Sequence, residues 1–183
     1  RQRRIAGIGV AAPFELWNWL DVVNAPRDEM QRWRDFDIAG SVAEATGLAV
    51  TVQNDTTAAC TAEHAFGRGR EFSDYAYFFI GSFIGGGVVL NDTVYSGRTG
   101  NAGAFGSIPV TSDRGSQQLI HHASLHLLER SMESAGIEPS LLWRPDCGWS
   151  EFGALVDSWI EHTARHLAIA IVAVAAVIDF ERI

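Results

Sequence analysis

The chain has 183 residues, is 47% hydrophobic and carries a formal charge of -8 with a pI near 5.1. That acidity argues against these residues themselves binding nucleic acid or an anionic membrane. All 14 basic residues are arginine and no G-x-x-x-x-G-K-[ST] run occurs, so a Walker A phosphate site is excluded.

In chain order, Ile5 to Ala11 reads as a short strand buried on both faces and stopped by Pro13. The preceding Arg1 to Arg4 resemble a signal-peptide start, but Gly and Pro interrupt the apolar run that follows. Trp17, Trp19 and Leu20 precede a polar turn from Asn24 to Asp28. Asp37 is placed to cap a helix from Ile38 to Thr46, with Ile38, Val42 and Ala45 on one face and Gly47 just past its end. Leu48 to Val52 is a β-rich strand, which puts Asn54 and Asp55 at its carboxyl end. In open α/β sheets ligands sit beyond such ends, and a helix from about Thr56 to Gly67 aims its N-terminus there. Asp55 therefore reads either as a helix cap or as a ligand-facing carboxylate.

Tyr75 to Ile80 is a buried strand whose partner is Val88 to Leu90. The intervening Gly81-Ser82-Phe83-Ile84-Gly85-Gly86-Gly87 is longer than a plain hairpin needs. It reads either as an unusual hairpin or as a loop whose glycines adopt positive φ and expose backbone N–H groups to a phosphate. Asn91-Asp92 turns tightly into Thr93 to Tyr95, and Gly97 to Ser107 is too glycine-rich for an ordinary connector. After Val110 the pattern becomes helical, with one helix from Gln117 to Ala135 ended by Gly136 and another from Glu151 to Phe180. His121, His122 and His126 cluster on the first. His122 and His126 have metal-pair spacing, but with no HExxH and no third ligand in view they read as surface histidines. Trp143 and Trp149 are expected to cover a core edge. The apolar run Leu167 to Ile178 has 12 residues, short of the ~20 that span a bilayer. Cys60 and Cys147, with no CxxC, read as reduced thiols of a soluble cytoplasmic protein.

Three motifs in this order resemble the ROK family of sugar kinases and sugar-responsive repressors. Val52 to Asp55 with Ala58-Ala59 and Glu63 to Gly67 is similar to that family's "ENDxNxAAxxE…G" segment. Gly81 to Gly87 is similar to its "GTGIGGG" phosphate loop, and Gly97 to Ser107 to its "GxxGxAGExGH" sugar loop. Ile5 to Pro13 resembles the "GIGVxxPG" strand upstream. The resemblance implies an α/β chain of the actin-like ATPase (ribonuclease H-like) fold, incomplete, forming the interior part of a two-lobed protein. Residues 1–72 would be the remainder of the N-terminal lobe, and 73–183 the C-terminal lobe with oligomerisation helices.

The resemblance also implies roles. Asp55 aligns with the kinase general base, Asn54 with a sugar ligand, Gly100, Asn101 and Gly103 with the sugar or effector loop, and Gly81, Ser82, Gly85 and Gly86 with the phosphate loop. The departures are equally specific. The sugar-loop Glu falls on Ala104, its His on Ser107, a second sugar-binding Glu on Ile120, and a loop glycine on the bulky Phe83. No cysteine stands near Asp113 to Ile120, so the family's structural zinc is expected to be absent, with no other metal. Each lost charge-assisted bond to a sugar hydroxyl is worth roughly 1.5–3 kcal/mol. The expectation is therefore the sugar- or polyol-sensing region of a bacterial transcriptional regulator of carbohydrate metabolism, switching by lobe closure. It would be homodimeric or larger, with DNA bound through a helix-turn-helix outside this chain. The alternative is a sugar kinase of altered specificity, needing ATP and magnesium.

Overall fold

The computed structural model describes residues 5–13, 26–113 and 115–183. The chain forms two compact units, Arg1–Ala58 and Ala59–Ile183.

In the first unit, β1 (Ile8–Ala12) pairs in parallel with β2 (Val50–Asn54), from Ile8 opposite Val50 to Ala12 opposite Asn54. A parallel pair requires a long crossover, and this one carries α1 (Arg27–Arg34) and α2 (Ile38–Thr46). α2 forms where the sequence puts it. The Asp37 carboxylate accepts from Gly40 N at 2.9 Å, and Gly47 ends the helix at φ 69°. α1 replaces part of the expected polar turn. Its signals are Pro26 ahead of it, Asp28 and Glu29 in its first turn and Arg32 and Arg34 in its last, which match the helix dipole. Trp17, Trp19 and Leu20 lie outside the described residues. β1 alternates half-buried and exposed residues rather than being buried on both faces, because within this unit β2 alone flanks it among the described residues.

In the second unit, β3 (Tyr75–Ile80), β4 (Ile84–Leu90) and β5 (Thr93–Tyr95) form an antiparallel meander. Asn91 and Asp92 take φ 50° and 57°, the left-handed pair that a two-residue hairpin turn needs. Cys60, on α3 (Asp55–Phe66), packs with Tyr75 and Val89 as one core cluster. The chain returns to this sheet at its end: Ala76 N donates to Arg182 O at 3.1 Å and Glu181 N to Asp74 O at 2.9 Å.

A second hairpin, β6 (Pro109–Ser112) with β7 (Gly115–Gln118), occupies the stretch expected to begin a helix. Gln117 sits opposite Val110 across it, and a 3-10 turn at Leu119–His121 follows. The helix is therefore the shorter α4 (Leu125–Ser134), with Leu128 and Met132 fully buried and Gly136 beyond it at φ 74°. α5 (Ala154–Val177) is likewise shorter than expected, since Gly153 at φ 45° and a 3-10 turn at Trp149–Phe152 precede it. It buries Val156, Thr163, His166 and Ala170, the last in the central cluster with Ile84, Val110, Leu119 and Ala123. Trp143 is 53% exposed and does not cover a core edge.

By length and composition alone, α5 with its 24 residues could cross a bilayer, which the shorter apolar run did not foretell. Asp157, Glu161 and Arg165 stand along it, and its buried stripe packs against β6 and α4, while Ile160, Ile169, Val172 and Val177 are exposed.

Candidate functional site

At the carboxyl end of β2 the chain passes directly into α3, and Asn54 makes the junction. Its side-chain oxygen accepts from Thr56 N at 3.1 Å, Thr57 N at 3.2 Å and Thr56 Oγ1 at 2.8 Å. That is the work of an N-cap. Asp55 is the first helical residue instead, half-buried, with one carboxylate oxygen accepting from Thr56 N at 2.8 Å. Of the two readings open for Asp55, the cap is therefore filled by its neighbour. A carboxylate at this position is also stabilised by the positive end of the α3 dipole.

In the second unit the glycine segment divides in two. Gly81, Ser82 and Phe83 are the turn between β3 and β4, whereas Gly85, Gly86 and Gly87 lie in β4 opposite Phe79, Phe78 and Tyr77. None of these three has positive φ. The expected phosphate-facing loop of five small residues is thus a three-residue turn followed by extended strand. Gly86 and Gly87 are required by packing. A Cβ at Gly86 would meet the Phe105 ring at 2.6 Å, and one at Gly87 the Cys60 Sγ at 2.6 Å. The turn is tied to the start of α4: Leu125 N donates to Gly81 O at 2.9 Å and His126 N to Ser82 O at 3.2 Å. Ile84 N donates to the buried Ser124 Oγ at 3.2 Å. Gly81 is buried and Ser82 exposed, while the Phe83 ring rests on His126 at 5.1 Å.

The loop from Gly97 to Ser107 turns on Gly97, Gly100 and Gly103, at φ 74°, 78° and 83°. Gly103 is buried against β4, where a Cβ would lie 2.6 Å from Gly87 Cα. Asn101 is exposed and its carbonyl accepts from Ala104 N at 3.3 Å. Phe105 stacks on Phe78 with ring centroids 4.3 Å apart. The structure therefore brings Gly103 beside Gly86 and Gly87, and leaves Asn101 at the surface. Asn101, Ala104 and Ser107 form one wall of a cavity of about 500 Å³, whose other wall is apolar, from Val174, Val177 and Phe180.

His122 is not a surface histidine. It is 6% exposed, it lies outside α4, and its ring meets His162 and His166 of α5 rather than His126. Spacing along the sequence could not reveal this, because the partners are about forty residues away.

The sequence profile of the ROK family matches residues 1–123. The xylose repressor of Bacillus subtilis is 28% identical over 106 residues, covering 58% of this chain and 27% of that protein. The beta-glucoside kinase of Listeria innocua is 30% identical over 102 residues, 56% of this chain and 34% of that protein. The chain thus spans about a third or less of the length of these relatives. Among solved structures, a ROK family transcriptional regulator, a homologue of the E. coli MLC protein, superposes with a TM-score of 0.63. It is 24% identical, and the match covers 97% of this chain and 48% of that one. The fold is accordingly α/β, a part of the actin-like ATPase fold.

Proposed function

The chain belongs to the ROK family, and on that premise we propose that it is the effector-binding region of a transcriptional regulator of carbohydrate metabolism. One observation carries the choice between the family's two roles. Ala104 and Ser107 stand in the loop turned by Gly100 and Gly103, so neither a carboxylate nor an imidazole is offered there to sugar hydroxyls. Tight hexose turnover depends on such charge-assisted bonds. Asn54 and Asp55 are the residues proposed to contact a sugar or polyol, as are, by the resemblance of their loop, Gly100, Asn101 and Gly103. Similarity to xylose repressors supports a small sugar as effector. In this reading the protein acts in the cytoplasm as a homo-oligomer and reaches DNA through a segment outside these residues. Kinase activity is lost, and the family's structural zinc has no cysteines to hold it near Asp113 to Ile120.

The kinase reading has its own support, namely the retained Asp55, which Asn54 relieves of capping. Phosphoryl transfer needs a positioned base and a cradle for the phosphates. In that reading Asp55 takes the sugar-hydroxyl proton, and the phosphate contacts expected of Gly81, Ser82, Gly85 and Gly86 fall to the turn at Gly81 and Ser82, since Gly85 and Gly86 lie in β4.

The deciding experiment pairs a thermal-shift screen over pentoses, hexoses and polyols with an ATP-turnover assay on the same panel. A sugar that raises the melting temperature without ATP consumption supports the regulator. Turnover that disappears in Asp55→Asn establishes the kinase and overturns the regulator reading.

A further inference from the structure

Three imidazoles from two separated segments meet inside the second unit. His162 and His166 are one turn apart on α5, and His122 follows the 3-10 turn at Leu119–His121. One ring nitrogen from each lies within 4.8 Å of the others. His122 Nδ1 is 3.1 Å from His162 Nε2, and the His122 and His166 rings are stacked 4.0 Å apart at 9°. His122 and His166 are 6% and 5% exposed, while His162 is exposed.

Two further observations point to a ligand. His166 Nδ1 lies 2.8 Å from the His162 carbonyl oxygen, which can only accept, so Nδ1 carries the proton and Nε2 is left as a lone-pair donor. A carbonyl on the far nitrogen is also the usual outer-shell support of a metal-bound histidine. His122 Nε2 is buried with no hydrogen-bond partner among the described residues, an arrangement that costs free energy unless something occupies that nitrogen.

We propose that His122, His162 and His166 bind one divalent transition-metal ion of the zinc class, with water in the fourth position on the exposed His162 side. Neutral imidazoles suit zinc, cobalt and nickel, and three histidines with one open position is an established zinc arrangement. A Zn–N length of about 2.0–2.1 Å puts tetrahedral donors roughly 3.3 Å apart. The three donor nitrogens lie within 4.8 Å of one another, and to reach that spacing the stacked His122 and His166 rings, as well as the exposed His162, would turn toward the ion.

The ion would staple α5 to the segment that seats the glycine turn. Ser124, two residues past His122, accepts from Ile84 N, and the next two amides hold Gly81 O and Ser82 O. Metal occupancy would thus stiffen the turn whether the protein senses or phosphorylates.

The test is cobalt(II) titration of the metal-free protein, followed by zinc competition against a chromophoric chelator. The expected result is one ion per chain, visible absorption of tetrahedral cobalt, and a zinc-dependent rise in melting temperature. His162→Ala, at an exposed position that leaves folding intact by circular dichroism, is expected to weaken zinc binding by more than about tenfold. The adjacent exposed His121→Ala is expected to change nothing. Absence of stoichiometric binding overturns the site. So does zinc affinity unchanged in His162→Ala, or affinity lost instead in Cys147→Ser.

Discussion

The side-chain oxygen of Asn54 accepts from the backbone amide of Thr57 at 3.2 Å, which makes Asn54 the cap of α3 and leaves Asp55 as its first helical residue. The two neighbours can therefore be separated by mutation. Asn54→Ala should lower stability by about 1 kcal/mol, the usual loss for a missing cap. For a chain of this size that is a fall of roughly 2–4 °C in melting temperature. Asp55→Asn should stay within about 0.5 kcal/mol of the parent, because it breaks no cap. It should nonetheless weaken or abolish the response to whichever sugar the screen identifies. A large loss of stability in Asp55→Asn would return that residue to a structural role.

A second prediction concerns the glycines that bring the loop against β4. Gly103 combines φ 83° with a hypothetical Cβ only 2.6 Å from Gly87 Cα and 2.7 Å from Gly86 O. Gly103→Ala should thus incur both left-handed strain and a backbone collision, about 3 kcal/mol or more in sum. Gly9→Ala is the contrast. Nothing lies within 4 Å of its added methyl, and its backbone is extended. Its effect should fall within about 0.5 kcal/mol by denaturant unfolding. Equal losses at the two positions would remove close packing as the reason for Gly103.

These contrasts mark how far the sequence carries. Signals that act within a few residues were legible: Asp37 and Gly47 bracket α2, Asn91-Asp92 makes the hairpin turn, and β3 runs from Tyr75 to Ile80 as read. Of the site, the ordered motifs identified the family and pointed to the end of β2. What was missed depends on partners distant in sequence. Gly85 to Gly87 read as part of a long hairpin or phosphate-facing loop, but Phe105 and Cys60 need the missing side chains of Gly86 and Gly87 in order to pack on a strand. Gln117 read as helical until Val110 offered a hairpin partner. His122 read as exposed because His162 and His166 return to it on a different helix. α1 was a different kind of miss, since Pro26, Asp28, Glu29, Arg32 and Arg34 stated it locally and the short polar composition concealed it.

The stacked Phe78 and Phe105 rings give a third prediction. Their centroids are 4.3 Å apart, and Phe105 is buried with Ala76 and Val88. Phe105→Ala removes a buried aromatic and its ring partner, so a loss of about 3–5 kcal/mol is expected. The same ring stands over Gly86, so the released space should relax the demand for glycine there. Gly86→Ala should cost less in the Phe105→Ala background than alone, although the Tyr77 carbonyl still opposes a Cβ at that position. A double-mutant cycle by urea denaturation measures the coupling, and strict additivity would contradict the contact.

The last prediction is a pH dependence set by Cys60 and Tyr75. Burial pushes the Cys60 thiol up to about 11, with Glu63 adding to the effect, and pushes the Tyr75 phenol up to about 12, with Cys60 and Glu63 adding. Both groups keep their protons in the folded state longer than in the unfolded chain. Their contribution to stability is therefore complete below the ordinary thiol and phenol values of 9.0 and 10.0. It is lost as pH rises from there toward about 11 and 12, where the folded state also ionises. Urea unfolding midpoints should be flat from neutrality up to the ordinary thiol value of 9.0 and then fall. Cys60→Ala should flatten the first part of that fall even though it costs packing at neutral pH. In the parent protein Cys60, fully buried, should react with an aromatic disulfide reagent far more slowly than the partly exposed Cys147, at a rate that follows unfolding. Equal reactivity of the two thiols at pH 8 would mean that the cluster of Cys60, Tyr75 and Val89 is open in solution.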